Sequence, residues 1–306
     1  MKTNGCIDAG REGCPCALAE HGKCLACSRL SGGTCNDCSW QGSCIYTLYV
    51  QNSRKLIRGR ESRILPIEEV KTYQEQFKVF ILRADKGFCQ KAQTAGAYVF
   101  VKGTEQDDWH DMPVSVLKAE PEKGLLHLGV CDCGVKSGSL FEAEEFLSVR
   151  GIYYNALSGL GKLLENPEEA VVFAKGIAIA PLRNFLDSRR YEKWIANLKL
   201  FMDLDKVGMD FFRDYFGDLP ICDMQVRSFA GEGLCDLDEL DRLEAAEYTN
   251  VFALTSPYYA EQVGRAAAQD VVRPMEGNMC CGEGVCGACT CVDESGQTIH
   301  RCKARM

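Results

Sequence analysis

The sequence predicts a mixed fold, in which an antiparallel β-barrel and a doubly wound α/β domain lie between two cysteine-rich modules. Short β-rich runs fill residues 45–150, and strand and helix patterns alternate over residues 151–275. Of the 19 cysteines, eight lie in residues 1–44 and six in residues 276–306. A chain of 306 residues is long enough for several such units.

Composition excludes several classes of function. The net charge of −8 argues against nucleic acids and anionic membranes as partners. The first residues lack the apolar core of a signal peptide, and no apolar run has the length of a membrane span. We therefore expect a cytoplasmic protein, in which cysteines bind metals or carry redox chemistry rather than form disulfides.

The N-terminal module, residues 1–44, has too few apolar residues to form a hydrophobic core by itself. It therefore needs cross-links such as metal–thiolate bonds to fold. Its metal-ligand candidates share the spacing of two C-x2-C pairs with flanking cysteines: Cys14, Cys16, Cys24, Cys27, Cys35, Cys38 and Cys44. Zinc would make this a structural site and an iron–sulfur cluster would make it an electron relay, and the spacing fits both. Cys6 lies upstream of this framework and is not assigned to it.

The barrel prediction for residues 45–150 comes from short β-rich runs separated by turn signals at regular intervals. The predicted strands are Ile45–Val50, Phe77–Leu82, Ala97–Val101, Val114–Leu117 and Leu125–Val130.

Residues 151–275 alternate apolar strands with helical segments, which is typical of a mostly parallel sheet. The predicted strands are Ala170–Ala174, Leu198–Met202, Met224–Val226 and Val251–Leu254. The predicted helices are Pro181–Arg189, Asp210–Phe216, Leu237–Ala246 and Tyr258–Ala268.

The C-terminal module, residues 276–306, carries cysteines in the pattern C-x4-C-x2-C followed by x12-C: Cys281, Cys286, Cys289 and Cys302. This is the spacing of a plant-type [2Fe–2S] cluster, and the intervening glycines allow a loop to wrap around it. A hairpin between residues 290 and 300 would return Cys302 to the other three. Cys291 is a rival fourth ligand, and a zinc site or plainly packed thiols are the alternatives.

The order of barrel, sheet and plant-type motif resembles the ferredoxin-reductase superfamily. Within it, the chain resembles the electron-transfer subunit of dihydroorotate dehydrogenase and the small subunits of sulfide dehydrogenase and NADH-dependent ferredoxin:NADP oxidoreductase. The resemblance covers residues 45–306. It implies FAD on the barrel and NAD(P) on the sheet.

The family's barrel motif Arg-Pro-x-Ser is matched by Pro113, Val114 and Ser115, but Met112 replaces the arginine. The resemblance implies that Ser115 hydrogen-bonds the flavin. A phosphate-binding loop is matched by Gly134, Lys136 and Ser137, with Lys136 supplying the charge that Met112 lacks. A turn leading into the sheet is matched only at Gly151 and Asn155.

The nucleotide-binding loop matches the family less well. Gly176 and Pro181 are retained, but Ala178 stands at a position where the family has glycine. An added methyl group restricts the approach of a pyrophosphate to the backbone. Lys175 is a candidate phosphate contact and Asp203 a candidate ribose ligand, and NAD(P) binding stays open.

These patterns predict an electron-transfer subunit that passes electrons between FAD, a [2Fe–2S] cluster and a larger catalytic subunit, or ferredoxin. NAD(P)H is the candidate donor or acceptor. The alternative is a non-catalytic assembly subunit, in which zinc stabilises the N-terminal cysteines and the cofactor motifs are relics.

Overall fold

The computed structural model describes residues 5–56, 59–163, 170–188, 198–219, 221, 223–229, 248–267, 271–275, 278–292, 296 and 298–305. The α-helices are α1 Ala17–Glu20, α2 Ile45–Gln51, α3 Lys86–Ala92, α4 Val135–Phe141, α5 Ala180–Asp187, α6 Gly208–Phe216 and α7 Pro257–Ala267. The strands are β1 Ser62–Gln74, β2 Phe77–Arg83, β3 Tyr98–Gly103, β4 Met112–Glu120, β5 Leu125–Cys131, β6 Phe146–Tyr153, β7 Leu157–Ser158, β8 Ala170–Lys175, β9 Leu198–Asp203, β10 Asp223–Val226, β11 Asn250–Leu254, β12 Arg273–Pro274, β13 Thr290–Val292 and β14 Thr298–His300.

The first six strands form a closed barrel in the order β1-β2-β5-β4-β3-β6. All its neighbouring strands are antiparallel. Phe80, Val99, Val116 and Leu128 fill its interior, each at most 1% exposed. Because the barrel is closed, none of its six strands has an unpaired edge. Four of the five predicted strand runs lie within these strands or start within one residue of them.

The predicted strand Ile45–Val50 is wrong, because these residues form helix α2. Ile45 is fully buried against Ala19, Cys27 and Leu30, and Tyr49, one helical turn later, packs on the same cluster. Burial on one helical face therefore overrides the β-propensity of this run. The helix packs with the N-terminal cysteines.

The second domain has a parallel sheet in the order β10-β9-β8-β11. Alternate residues of β8 face two separate cores: Val172 belongs to one, and Val171 and Phe173 belong to the other. Burial on both faces is what a doubly wound fold requires, which confirms the prediction. Of the predicted helices, Leu237–Ala246 lies outside the described residues.

The sheet domain and the barrel share one apolar core. Phe77 and Leu117 of the barrel belong to the same buried cluster as Phe185 of α5 and Phe211 of α6. The ring of Phe77 meets that of Phe211 edge to face at 4.8 Å. The two domains are therefore packed together through buried aromatic side chains.

The C-terminal hairpin forms as predicted, with β13 and β14 antiparallel. The start of the chain pairs with its end, through a bridge between Cys6 and Ala304. The N–H of Ile7 also donates to the carbonyl of Lys303 at 2.9 Å. The two cysteine-rich modules, far apart in sequence, are thus neighbours in space.

Candidate cofactor sites

The cysteine loop 281–289 lies directly on the barrel. Gly282 has a φ of +70°, and a Cβ added there would lie 2.6 Å from Cε1 of Tyr153 and 2.8 Å from Cε2 of Phe100. Those rings belong to β6 and β3. Glycine is required here both by the backbone conformation and by the contact with the rings.

We expect Gly282→Ala to destabilise this contact. A left-handed conformation costs a non-glycine residue about 1–2 kcal/mol, and overlap with two buried rings adds about 1–3 kcal/mol. Gly296→Ala is the matched control, because Gly296 has a φ of +81° and nothing within 4 Å of the added methyl. If urea unfolding shows that the two variants lose the same free energy of unfolding, the packing of the loop against the barrel would be contradicted.

The loop aims backbone donors at Cys281. Its Sγ accepts hydrogen bonds from the N–H groups of Glu283 at 3.3 Å and Cys286 at 3.4 Å. Burial would raise the pKa of Cys281, but the N–H groups of Cys286, Glu283 and Val285 outweigh it and lower that pKa. A thiolate is thereby favoured, as a metal ligand requires.

The sequence-predicted ligands come together as two contacting pairs. The thiol of Cys286 donates to Cys281, and the thiol of Cys302 donates to Cys289. Burial and its donated hydrogen bond raise the pKa of Cys286, and the hydrogen bond to Cys289 together with burial raises the pKa of Cys302. The hydrogen bond from Cys302 lowers the pKa of Cys289. Two pairs of thiols are the donor set of a cluster with two irons.

Cys302 is 1% exposed and follows β14, whose antiparallel pairing with β13 brings it back towards Cys289. The N–H of Arg301 donates to the carbonyl of Cys289 at 3.1 Å and fixes this approach. Cys291 lies within β13, opposite Ile299. This geometry favours Cys302 over Cys291 as the fourth ligand.

A buried ion network supports the loop from beneath. Lys303, fully buried, contacts Asp8 at 2.8 Å and Glu283 at 2.9 Å. Arg60 contacts the same two carboxylates at 2.8 and 3.4 Å. Burial would raise the pKa of both carboxyl groups, but the two cations lower it. No sequence pattern indicates this network, since its members lie far apart in the chain and are individually ordinary charged residues.

Arg150 connects the cluster loop with the barrel. Its guanidinium donates to the carbonyl of Cys281 at 2.9 Å, pairs with Asp111 at 2.6 Å and lies 4.6 Å above the ring of Phe100. In the register of the barrel strands, Phe100 of β3 lies opposite Arg150 of β6 and opposite Pro113 of β4. The pair between Arg150 and Asp111 therefore places an arginine beside the motif in which Met112 replaces one. This arginine comes from β6, which is separated from the motif strand β4 by β3, so motif matching does not find it.

The predicted flavin residues occupy β4 and the start of α4. Pro113 is exposed, Val114 is part of the barrel core, and Ser115 is half-buried opposite Tyr98. Lys136 donates to the carbonyl of Asp111 at 3.0 Å, which ties α4 to the residue before the motif. The motif and the helix are thus adjacent.

Two backbone N–H groups at the start of α4 are already bonded within the same turn. Gly134 is exposed and has nothing within 4 Å of an added Cβ. The hydroxyl of Ser137 accepts from the N–H groups of Cys133 and Gly134 at 2.9 and 3.0 Å. Ser137 therefore stabilises the turn itself, and the open surface for a ligand is at Gly134.

The turn residues Gly151 and Asn155 have structural partners. A Cβ on Gly151 would lie 2.9 Å from Cγ1 of Val99, so glycine allows β6 to pack against β3. The side-chain amide of Asn155 donates to the carbonyl of Arg301 at 2.7 Å. Asn155 thus links the barrel to the residue before Cys302.

The nucleotide-site residues lie at the carboxyl end of β8. Gly176 has a φ of +54°, Ala178 is half-buried in the following turn, and Pro181 lies in the first turn of α5. Strand order reverses between β8 and β11, which is where open α/β sheets bind ligands. The predicted segment is thus at the expected edge of the sheet.

The charged candidates at this edge are engaged with each other. Lys175 pairs with Asp203 at 2.5 Å. Asp203 also accepts from the N–H groups of Phe229 at 2.8 Å and Asp205 at 3.1 Å. The predicted phosphate and ribose contacts therefore stabilise the sheet edge in this structure.

The N-terminal candidates divide into two sets. Cys14, Cys16 and Cys24 line a cavity, joined there by Cys6, and Cys27 is buried beside Cys24. The other three predicted ligands are exposed and do not line it: Cys35, Cys38 and Cys44. Sequence spacing did not include Cys6 in this set. Cys6 lines the cavity in a segment that is held by the bridge to Ala304, near the C-terminal end.

Solved structures of redox proteins share this architecture. The chain covers 86% of the NADH-dependent reduced ferredoxin–NADP oxidoreductase, with 79% of its own length aligned, a TM-score of 0.59 and 17% identity. It covers 96% of phthalate dioxygenase reductase, with 80% of its own length aligned, a TM-score of 0.54 and 13% identity. The fold is that of the ferredoxin-reductase-like flavoproteins.

A ferredoxin NADP+ reductase from Neisseria gonorrhoeae, with bound FAD and NADP, also shares this fold, at a TM-score of 0.52 and 13% identity over 68% of this chain and 90% of that one. No protein-family model and no curated protein matches the sequence. Within the described ranges, no helix combines the length and apolar character needed to cross a bilayer. The ferredoxin-reductase-like architecture is thus established by structure.

Proposed function

We propose that the chain is the electron-transfer subunit of a flavin- and iron–sulfur-dependent oxidoreductase complex. FAD would bind the barrel at Ser115 and α4, and Cys281, Cys286, Cys289 and Cys302 would hold a [2Fe–2S] cluster. FAD supplies exchange between two-electron donors and one-electron centres. Of the structures that share this fold, one is described for flavin-based electron bifurcation and another for electron transfer from pyridine nucleotides to [2Fe–2S].

One observation carries the proposal: the cysteine loop and the flavin motif share Phe100. The Phe100 ring would contact a Cβ at Gly282, and its backbone is paired with Pro113. Arg150 adds a second link, because it contacts the carbonyl of Cys281 and pairs with Asp111, which precedes the motif. Adjacent sites allow direct electron exchange without a mobile carrier.

The outer side of the cluster loop supports transfer to a partner, either a larger catalytic subunit or ferredoxin. Cys286 is exposed, and the neighbouring Val285 is 67% exposed. An exposed ligand next to an exposed apolar side chain is suited to a protein that docks and exchanges electrons there. The cytoplasm is the proposed location.

The test is analysis of the anaerobically purified chain for iron, acid-labile sulfide and flavin. We expect FAD, and a rhombic EPR signal from the reduced cluster that Cys286→Ala removes. A colourless protein that contains zinc and no flavin would refute the proposal and favour the assembly subunit with relic motifs. An unchanged signal in Cys286→Ala would refute the ligand assignment.

We predict that the isolated chain binds NADH weakly. Ala178 narrows the pyrophosphate approach, and the Lys175–Asp203 pair engages both charged candidates at the site. A penalty of about 1.4 kcal/mol corresponds to tenfold weaker binding. Calorimetric titration of Ala178→Gly should show the tighter NADH binding, and rapid mixing of the unaltered, flavin-loaded chain should show slow flavin reduction.

The control for this prediction is Ala143→Gly, a substitution of the same kind at a half-buried residue that packs on the barrel core. It should leave NADH binding unchanged. Fast flavin reduction of the unaltered chain at micromolar NADH would contradict the prediction and identify this subunit as the entry point for hydride.

A further inference from the structure

The N-terminal module contains a cavity that the sequence pattern did not define. Four cysteines line it: Cys6, Cys14, Cys16 and Cys24. They come from separate turns, since Cys6 is in the bridge to the C-terminal end, Cys16 precedes α1, and Cys24 follows it. The rest of the lining is mainly apolar and includes Leu18 and Ile45. Thiols from several turns that converge on an apolar cavity form a set of soft ligands.

The surroundings of these thiols match those of an iron–sulfur site. The N–H of Cys27 donates to Sγ of Cys24 at 3.4 Å, and hydrogen bonds to ligand sulfurs are a feature of such sites. Zinc would need its four ligands within about 2.3 Å of one point. Within the described ranges, no three His, Cys, Asp or Glu side chains are arranged to hold a metal ion. The ligands of an iron–sulfur cluster are shared among several irons and do not converge on one point.

The cavity lies next to the plant-type loop. Leu18 lines the cavity, and its Cγ lies 3.2 Å from the position of a Cβ on Gly284, which follows Cys281 in the loop. Asp8 also lines the cavity and pairs with Lys303, the residue after Cys302. Leu18 and Asp8 therefore connect the lining of the cavity with residues of the C-terminal cysteine module, so the two cysteine sites lie in neighbouring parts of the structure.

We propose that Cys6, Cys14, Cys16 and Cys24 hold a second iron–sulfur cluster that exchanges electrons with the C-terminal cluster. This inference rests on the proposed function for its electron donor. One electron leaves the reduced C-terminal cluster, which is oxidised, and enters the N-terminal cluster, which is reduced. No proton or further reactant is needed. The N-terminal module is then a relay as well as a folded support.

The test uses the full chain, purified without oxygen, and three single variants. Cys6→Ser and Cys24→Ser should each reduce the iron content to the roughly two atoms of a [2Fe–2S] cluster. Cys38→Ser is the matched control, because Cys38 is exposed and does not line the cavity, and it should keep all the iron. Circular dichroism checks that each variant remains folded.

EPR supplies a second readout that does not depend on activity. In the fully reduced unaltered chain, spin coupling between the two clusters should broaden the [2Fe–2S] signal, and Cys6→Ser should leave a narrow, uncoupled signal. Zinc in place of the additional iron would overturn the proposal, and so would iron lost in Cys38→Ser but kept in Cys6→Ser. The narrow signal in Cys6→Ser also shows that the C-terminal cluster is intact, so failure of this inference is distinguishable from failure of the proposed function.

Discussion

Replacing Lys303 with methionine should lower the free energy of unfolding by about 3–5 kcal/mol, the usual cost of removing one partner from a buried charge group. Lys303 is fully buried and contacts both Asp8 and Glu283. Without it, two buried carboxylates share the single guanidinium of Arg60. Methionine keeps most of the side-chain volume, so the decrease in the free energy of unfolding reflects the missing charge rather than a new cavity. Urea unfolding of the cofactor-loaded protein measures it.

The control is Lys86→Met. Lys86 also pairs with a carboxylate, at 2.7 Å from Glu122, but the two side chains are 56% and 81% exposed. Solvent screening limits such a pair to about 1 kcal/mol or less. Equal destabilisation by the two variants would show that Lys303 is not a buried centre of the network.

Cys302→Ser should abolish the plant-type cluster, whereas Cys291→Ser should leave it in place. The thiol of Cys302 hydrogen-bonds Cys289, and its backbone position is set by the hairpin β13–β14. Cys291 lies in β13 itself, opposite Ile299. A serine oxygen is a poor substitute for a thiolate with iron, so the cluster should be lost rather than weakened.

Iron content and the EPR signal of the reduced protein measure this outcome. Both variants change one sulfur to oxygen, one within the hairpin β13–β14 and one two residues after it, so each variant is a control for the effect of the other substitution on this segment. Loss of the signal in Cys291→Ser with retention in Cys302→Ser would show that the fourth ligand is Cys291.

Local patterns predicted most of the fold. The barrel strands and the parallel strands of the sheet were recognisable because burial on one or both faces fixes their apolar spacing. The run at residues 45–50 was misassigned, since its β-propensity is high and its helical face becomes visible only when Ile45 packs on Leu30. Propensity is a weak signal wherever a small cluster decides the conformation.

The sites were predicted less evenly. Cysteine spacing predicted that Cys302 returns to the loop 281–289, because the ligands of a plant-type cluster keep characteristic separations in sequence. The family resemblance pointed to Lys175 and Asp203 at the sheet edge, yet it did not predict that they pair with each other at 2.5 Å. Which groups remain free for a ligand depends on contacts between strands.

The amino-acid pattern thus contains the two cysteine modules, the barrel and the sheet, since each depends on interactions between residues close in sequence. Long-range packing places the modules side by side, through the bridge between Cys6 and Ala304 and the contact between Asp8 and Lys303. It also seats Gly282 on the barrel rings and brings Arg150 beside the flavin motif. These contacts join residues separated by tens to hundreds of positions, and no local spacing or composition encodes such pairings.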